Sequence, residues 1–142
     1  MPAINHKPAV KTAIFSLLLV TLAVVANGAM DTISFRYDRS LLAKYPALRQ
    51  WADPATAWKN KWKNGDPTQG EAFPFSSTAL VGTTDAWHLL KGLMLLCLVT
   101  AIVLPFTHLF SLHWTAWVGI LLSVKFVFSC AFESQFGWLL LR

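Results

Sequence analysis

Charged residues are scarce in this chain, since only 13% of its 142 residues are Asp, Glu, Lys or Arg. About a quarter of the residues in a soluble globular domain are charged. The few polar residues also concentrate between positions 31 and 86, which leaves no room for a large soluble domain. Cysteine is scarce too. Cys97 and Cys130 both fall in apolar stretches, so we expect buried free thiols and no secreted disulfide framework.

Motifs for catalysis and for nucleic-acid binding are also missing. The chain has no Ser-His-Asp order, phosphate-cradling glycine loop, haem-attachment CxxCH or HExxH. It has no zinc-knuckle spacing, basic helix run or aromatic sheet motif. We therefore predict no cofactor, no metal and no nucleic-acid partner. The same absence argues against an enzyme without excluding one.

Three long apolar stretches dominate what is present, at residues 12–30, 87–109 and 114–138. A helix of nineteen residues is about 28 Å long, close to the thickness of a bilayer core. We predict an all-α membrane protein with about three transmembrane helices. Because residues 109–113 form a very short connection, the second and third spans should be an antiparallel hairpin. The domains are then 1–30, 31–86 and 87–142.

The first stretch permits two interpretations. Lys7 and Lys11 precede an apolar run, and small residues follow it at positions 26–29. That outline fits a secretory signal with a cleavage site, and it fits equally a retained first transmembrane helix. We favour the retained helix.

The central segment, residues 31–86, predicts short interfacial helices. One would cover residues 40–48, and another residues 54–64, starting at Asp53-Pro54 and stopping at Asn64-Gly65. Trp58 and Trp62, four apart, would share one face and anchor that helix at the headgroups or on the hairpin. The alternative is a solvated loop whose tryptophans pack on the hairpin. Residues 66–75 predict an ordered loop.

A resemblance accompanies this segment. The strings WKNKWKNGDP at 58–67, FPFSST at 73–78 and TDAWHL at 84–89 resemble a pattern in a group of small, uncharacterised bacterial integral membrane proteins. The match covers roughly residues 55–90. We know of no activity for that group, so the resemblance implies a small membrane protein and no site residues.

Polar residues within the third span are the first candidates for function. Lys125, Ser129 and Glu133 are spaced i, i+4 and i+8, so they form one polar stripe on a helix. The stripe would serve an ion, proton or headgroup path, or it would face a partner helix or second subunit. If the hairpin turns near residues 111–112, Glu133 lies beside Lys91 and the two form an ion pair near the interface.

A weaker candidate pair opens the second span. Asp85 and His88 lie three apart on one helix face, where they could orient one another or share a metal. Zinc sites need three or four protein ligands, so two ligands are a weak signal. The alternative, which we favour, is that Asp85 caps the helix and His88 lies at the interface.

Three hypotheses for function remain open. The first is a structural or accessory subunit that packs on a larger membrane complex. The second is a small transporter or lipid-handling protein that uses the polar stripe, and the third is a metal-dependent membrane enzyme. Expected partners are membrane lipids and other membrane subunits or a second copy. The net charge of +5 suits an anionic membrane surface, and a multi-pass protein of the bacterial inner membrane is expected.

Orientation follows from the basic residues. Seven of them lie in the central segment, against Lys7 and Lys11 on the other side of the first span. The positive-inside rule therefore places the central segment in the cytoplasm, whereas a cleaved signal would export it.

Overall fold

The fold is all-helical throughout residues 7–110 and 113–133, the part of the chain that this computed structural model describes. These described residues contain four α-helices: α1 Lys7–Arg36, α2 Pro46–Ala52, α3 Ala86–Leu109 and α4 Trp114–Glu133. Short 3₁₀ helices occupy Tyr37–Arg39, Leu42–Lys44, Ala57–Lys61, Lys63–Gly65, Pro67–Gln69 and Val81–Thr83. No strand occurs in the described residues, and a single bridge joins Trp62 to Glu71. The predicted helical class is confirmed.

Helix α1 continues past its predicted end at Met30 and stops at Arg36. Polar residues end the apolar run at Asp31, but they do not end the helix. The Thr32 hydroxyl donates to the Gly28 carbonyl at 2.8 Å, and Ile33 is buried in a cluster with residues of other elements. The predicted boundary at residue 30 therefore lies inside a helix.

Helices α1 and α3 are long and apolar enough to cross a membrane. Only 17% of the apolar window of each is buried, whereas the core helix of a soluble protein is mostly buried. A signal sequence would pass the same test for α1, which lies near the N-terminus, but α3 is internal. Helix α4 carries a shorter described apolar run, Trp114–Phe128. Residues 134–138 of the predicted third span, and the turn at 111–112, lie outside the described residues.

The chain divides into two compact units. One contains Met1–Val20 and Leu96–Arg142, and the other contains Thr21–Leu95. In the first unit Cys97 is buried as predicted, whereas Cys130 is exposed, contrary to the expectation of two buried thiols. Cys130 lies on α4, whose described apolar side chains are largely exposed.

The second unit has a small core of its own. Ile33 from the end of α1, Tyr37 from the 3₁₀ helix that follows it, Ala52 from α2 and Ala86 from the start of α3 are all buried there. Partly buried hydrophobic residues pack around them: Leu42, Ala43, Trp51, Trp87 and Leu90. This core brings the helices α1, α2 and α3 together, and the candidate site lies beside it.

The predicted helix over residues 40–48 is wrong in its bounds. A 3₁₀ turn at Leu42–Lys44 is followed by α2, which begins at Pro46 and extends to Ala52. Pro46 suits the first helical position, because its fixed φ fits a helix and its missing N–H would have had no partner there. We expected Leu41, Leu42, Tyr45 and Leu48 to form the apolar face of that helix. Leu42 packs on the core, whereas the other three are exposed.

The predicted helix over residues 54–64 does not form as one element. Asp53 ends α2, donating its N–H to the Arg49 carbonyl, and its side chain accepts the N–H of Ala55 in a local turn. A 3₁₀ helix, Ala57–Lys61, follows, and Trp62 is extended. Because Trp58 lies inside this 3₁₀ helix and Trp62 lies beyond its end, the two tryptophans do not share the face of one helix.

A tight loop follows Trp62. Asn64 and Gly65 both have positive φ, 53° and 75°, as expected for an Asn-Gly stop. The N–H of Lys63 donates to the Gly70 carbonyl at 3.0 Å, and the Ala72 N–H donates to the Lys61 carbonyl at 3.0 Å. The predicted ordered loop is thus closed by backbone hydrogen bonds.

Candidate functional site

Asp85 directly precedes α3 and caps its first turn. Its Oδ1 accepts the backbone N–H of His88 at 2.9 Å. The first N–H groups of a helix have no partner within the helix, so this bond satisfies one of them. The capping role predicted for Asp85 is confirmed by this geometry. At 4% exposure Asp85 is also a buried carboxylate, which a cap alone does not require.

The same carboxylate holds the imidazole of His88. Nδ1 of His88 lies 2.7 Å from Oδ2 and 2.9 Å from Oδ1 of Asp85. The Thr84 hydroxyl donates to Oδ2 at 3.3 Å. An ionised carboxylate only accepts hydrogen bonds, so Nδ1 must carry the proton. In neutral His88 the other nitrogen, Nε2, is then an acceptor.

The environment keeps Asp85 ionised. Burial raises the pKa of its carboxyl, but hydrogen bonds from the side chain and backbone of His88 and from the Thr84 hydroxyl lower it. Their sum leaves the pKa of Asp85 below its ordinary value. The pair is therefore a buried carboxylate that fixes the tautomer of a half-buried histidine.

Asp85 and His88 line a cavity of about 230 Å³. Three indoles also line it: Trp51 of α2, Trp58 of the 3₁₀ helix Ala57–Lys61 and Trp87 of α3. The Trp87 ring stands at 77° to the His88 ring, with centroids 5.1 Å apart. We call this space the tryptophan cavity. It combines apolar aromatic walls with one oriented imidazole.

Asn60 holds the walls of the tryptophan cavity together. Its Nδ2 donates to the Gln50 carbonyl at 2.8 Å and to the Thr84 carbonyl at 2.9 Å. Gln50 is adjacent to Trp51, and Thr84 is adjacent to Asp85. One amide therefore ties the end of α2 and the start of α3 to the segment that carries Trp58. Sequence reasoning missed Asn60, because a lone asparagine in a lysine-rich string is typical of a solvated loop.

A second cavity, of about 630 Å³, lies at the end of α1. Arg36 and Arg39 line it, and so do Asp38 and Asp53. The two signs of charge are balanced there, so the cavity has no preference for an anion or a cation.

The predicted anchors Trp58 and Trp62 have separate environments. Trp58 is 41% exposed and lines the tryptophan cavity, with Lys59 Nζ 5.7 Å from its ring centroid. Trp62 is half-buried, and Lys61 Nζ lies 5.8 Å from its ring. Lys59 and Lys63 are exposed, and Lys61 is half-buried. Anchoring at headgroups stays a prediction for both tryptophans.

The polar stripe lies on one continuous helix. Lys125 is exposed on α4, and the backbone of the same helix includes positions 129 and 133. The side chains of Ser129 and Glu133 lie outside the described residues. The pairing of Lys91 with Glu133 therefore stays a prediction. Lys91 Nζ itself lies 5.0 Å from the Trp87 ring centroid.

Among residues 7–110 and 113–133, no group of three or more His, Cys, Asp or Glu residues could hold a metal ion. Asp85 and His88 supply two ligands at most, and Nδ1 already binds the carboxylate. Comparison of the chain with family models, with curated proteins and with solved structures found no match.

Proposed function

We propose that the protein is a small multi-pass protein of a bacterial inner membrane, an accessory subunit whose helix α4 packs against a larger membrane complex. Three spans, with α3 and α4 as a hairpin, would place the central segment on the cytoplasmic side. The many basic residues of that segment support this orientation.

Apolar exposure supports the membrane part of the proposal. Large apolar side chains of α1 and α3 face outward along much of their length, with Leu17 67% and Ile102 62% exposed. Water is a poor environment for so much contiguous apolar surface, whereas lipid is a good one. Helix backbones also satisfy their own polar groups, which a bilayer requires.

The observation that carries the subunit part is Lys125. It is exposed near the middle of α4, where Leu122 and Phe126 are also exposed, at 66% and 70%. A lysine facing lipid at the centre of a span costs about 2.5–3.5 kcal/mol on insertion scales. An acidic or polar group of a partner subunit would offset that cost, and the neighbouring apolar side chains would extend the contact.

Gentle detergent extraction of the tagged chain, followed by mass spectrometry, tests the subunit proposal. We expect a stoichiometric membrane-protein partner, and we expect Lys125→Leu to reduce its recovery. The matched control is Lys11→Leu, the same substitution on the exposed side chain near the start of α1. Recovery of this chain alone, or equal recovery of the partner from both variants, would contradict the proposal.

Cysteine labelling tests the three-span arrangement. In a Cys97→Ala, Cys130→Ala background, Ala55→Cys and His113→Cys introduce thiols at exposed positions of the central segment and of the predicted turn. In spheroplasts a membrane-impermeant maleimide should label position 113 and spare position 55. Equal labelling of both positions would contradict the hairpin.

Transport along the polar stripe is the second candidate, because the exposed Lys125 is also the charge such a path would use. Charge movement in vesicles reconstituted with this chain alone, lost in Lys125→Ala, would favour it over the subunit. Vesicles that pass no charge with wild-type protein exclude it.

A further inference from the structure

The tryptophan cavity has features that an accessory subunit does not need. Capping α3 requires one acceptor atom, and a serine or asparagine would supply it. Asp85 instead places both carboxylate oxygens within 2.9 Å of Nδ1 of His88. Since Nδ1 faces Asp85, the edge of the ring left for any other group is the edge that carries Nε2. In neutral His88 this edge is a hydrogen-bond acceptor whose direction the carboxylate of Asp85 fixes.

The walls select a flat group. Trp51, Trp58 and Trp87 come from three separate elements and meet around open space instead of closing over one another. Indole faces stack well on other rings. The volume of about 230 Å³ is below the range of roughly 300–1,000 Å³ typical of pockets for drug-sized ligands. The cavity therefore suits a single ring.

Charges near the walls favour a neutral ligand. Lys59 Nζ lies 5.7 Å from the Trp58 ring, and Lys91 Nζ lies 5.0 Å from the Trp87 ring, so a cation at either indole would meet an ammonium group. Neither lysine lines the cavity, whereas Asp85 does, so an anion inside it would meet a carboxylate first. A neutral ligand meets neither repulsion.

We propose that the tryptophan cavity binds a neutral phenolic ring, whose hydroxyl donates a hydrogen bond to Nε2 of His88 while the ring stacks against the tryptophans. The binding is non-covalent, and Asp85 acts by orienting His88. This site lies within Thr21–Leu95, so the proposal goes beyond the accessory role and does not depend on it.

A matched pair of probes tests the hydroxyl. The full chain is purified in detergent with 5-fluorotryptophan and titrated with 4-ethylphenol, then with 4-ethylanisole, which has the same ring but no O–H. We expect 4-ethylphenol to shift the fluorine resonances of Trp51, Trp58 and Trp87. Trp62, which does not line the cavity, is the internal control. Equal shifts at Trp62 would show general partitioning into detergent and overturn the proposal.

Two variants distinguish the contribution of the His88 acceptor to binding from that of the indole walls. His88→Phe keeps a ring and removes the acceptor. It should lower the affinity for 4-ethylphenol about tenfold, which is the effect of one hydrogen bond to a buried group. The affinity for 4-ethylanisole should not change. Equal affinity of wild type for both probes, or no effect of His88→Phe, would overturn the proposal. If His88→Phe does not fold, the Trp58→Leu variant tests whether 4-ethylphenol binds in the tryptophan cavity. Trp58 is 41% exposed, and its substitution should weaken 4-ethylphenol while Trp62→Leu leaves it unchanged.

Discussion

The apolar helices and the central polar segment are stabilised in different ways. Helices α1 and α3 satisfy their own backbone and leave apolar side chains outside. The segment between them, residues 37–85, consists of one seven-residue α-helix and several 3₁₀ turns. Such short pieces are unstable alone, so side chains must hold them. Hydropathy therefore determines the structure of the first region, and individual hydrogen bonds determine that of the second.

Three polar side chains hold the short helical pieces of this segment in place. Asn60 ties α2 to the start of α3. Ser76, fully buried, donates to the Lys61 carbonyl at 2.7 Å. Glu71 accepts the N–H groups of Phe75 and Ser77 at 2.9 and 3.0 Å and also the Ser77 hydroxyl. These side chains thereby satisfy backbone N–H and carbonyl groups that have no partner in a regular helix.

The largest expected effect comes from placing a charge in an apolar helix. Leu96→Arg, near the middle of α3, should cost about 2.5–3.5 kcal/mol of membrane insertion. Leu41→Arg is the matched control in the polar segment, where the leucine is 70% exposed. An exposed substitution of that kind should change stability by less than about 0.5 kcal/mol. The measurement is the membrane-integrated fraction after carbonate extraction. Equal fractions for the two variants would remove the distinction between the regions.

Asn60→Ala should produce the next largest effect. It removes donors to the Gln50 and Thr84 carbonyls, and two such bonds are worth about 2 kcal/mol together. Hydrogen exchange in residues 46–62 should accelerate, while exchange in the middle of α3 stays slow. Gln69→Ala, which removes only exposed side-chain bonds, is the control and should leave residues 46–62 unchanged. Unaltered exchange in Asn60→Ala would mean that the asparagine does not join these elements.

A smaller loss is expected at the start of α3. Asp85→Ala removes the cap and the partner of His88, and loss of a cap costs about 1 kcal/mol. Asp85→Asn keeps an acceptor for the His88 N–H and should recover most of that loss. Amide exchange at residues 86–89 measures both variants. If the alanine variant exchanges no faster than wild type, packing of Ala86 and Trp87 alone holds the helix start.

Acidification should loosen the loop at residues 66–77. Hydrogen bonds from Ser77 hold the pKa of Glu71 below its ordinary value, and bonds from Thr68 do the same for the pKa of Asp66. Because both pKa values are lower in the folded chain, the ionised forms favour folding. Their contribution is complete above the ordinary carboxyl pKa and is lost as the pH falls through the lowered values.

Limited proteolysis of this loop at neutral and acid pH, with an acid-stable protease, measures the effect. Both carboxylates are exposed, so the change should be the smallest of the four. In the Glu71→Gln variant the protease should cleave the loop readily at neutral pH already. Greater resistance of that loop at either pH would contradict the role assigned to Glu71.

Two Asp-Pro pairs explain why the central segment resisted prediction. Asp66 accepts the N–H of Thr68 and caps the 3₁₀ helix Pro67–Gln69. Asp53 makes the same local bond to Ala55, yet it ends α2 and no helix begins at Pro54. The local chemistry is alike at both sites. At Asp53-Pro54, the packing of Ala52 in the core and the hydrogen bond from Asn60 to the Gln50 carbonyl determine that no helix begins.

Neighbouring residues were enough to predict the helical class, the apolar character and approximate start of α3, the cap at Asp85 and the left-handed turn at Asn64-Gly65. Each depends on hydropathy, capping or backbone freedom within a short stretch of chain. That Trp51, Trp58 and Trp87 surround one cavity with His88 follows instead from contacts between distant parts of the chain. Their meeting depends on Asn60 and on the buried contacts of Ile33, Ala52 and Ala86. Such contacts join residues far apart in the chain, and no local pattern specifies them.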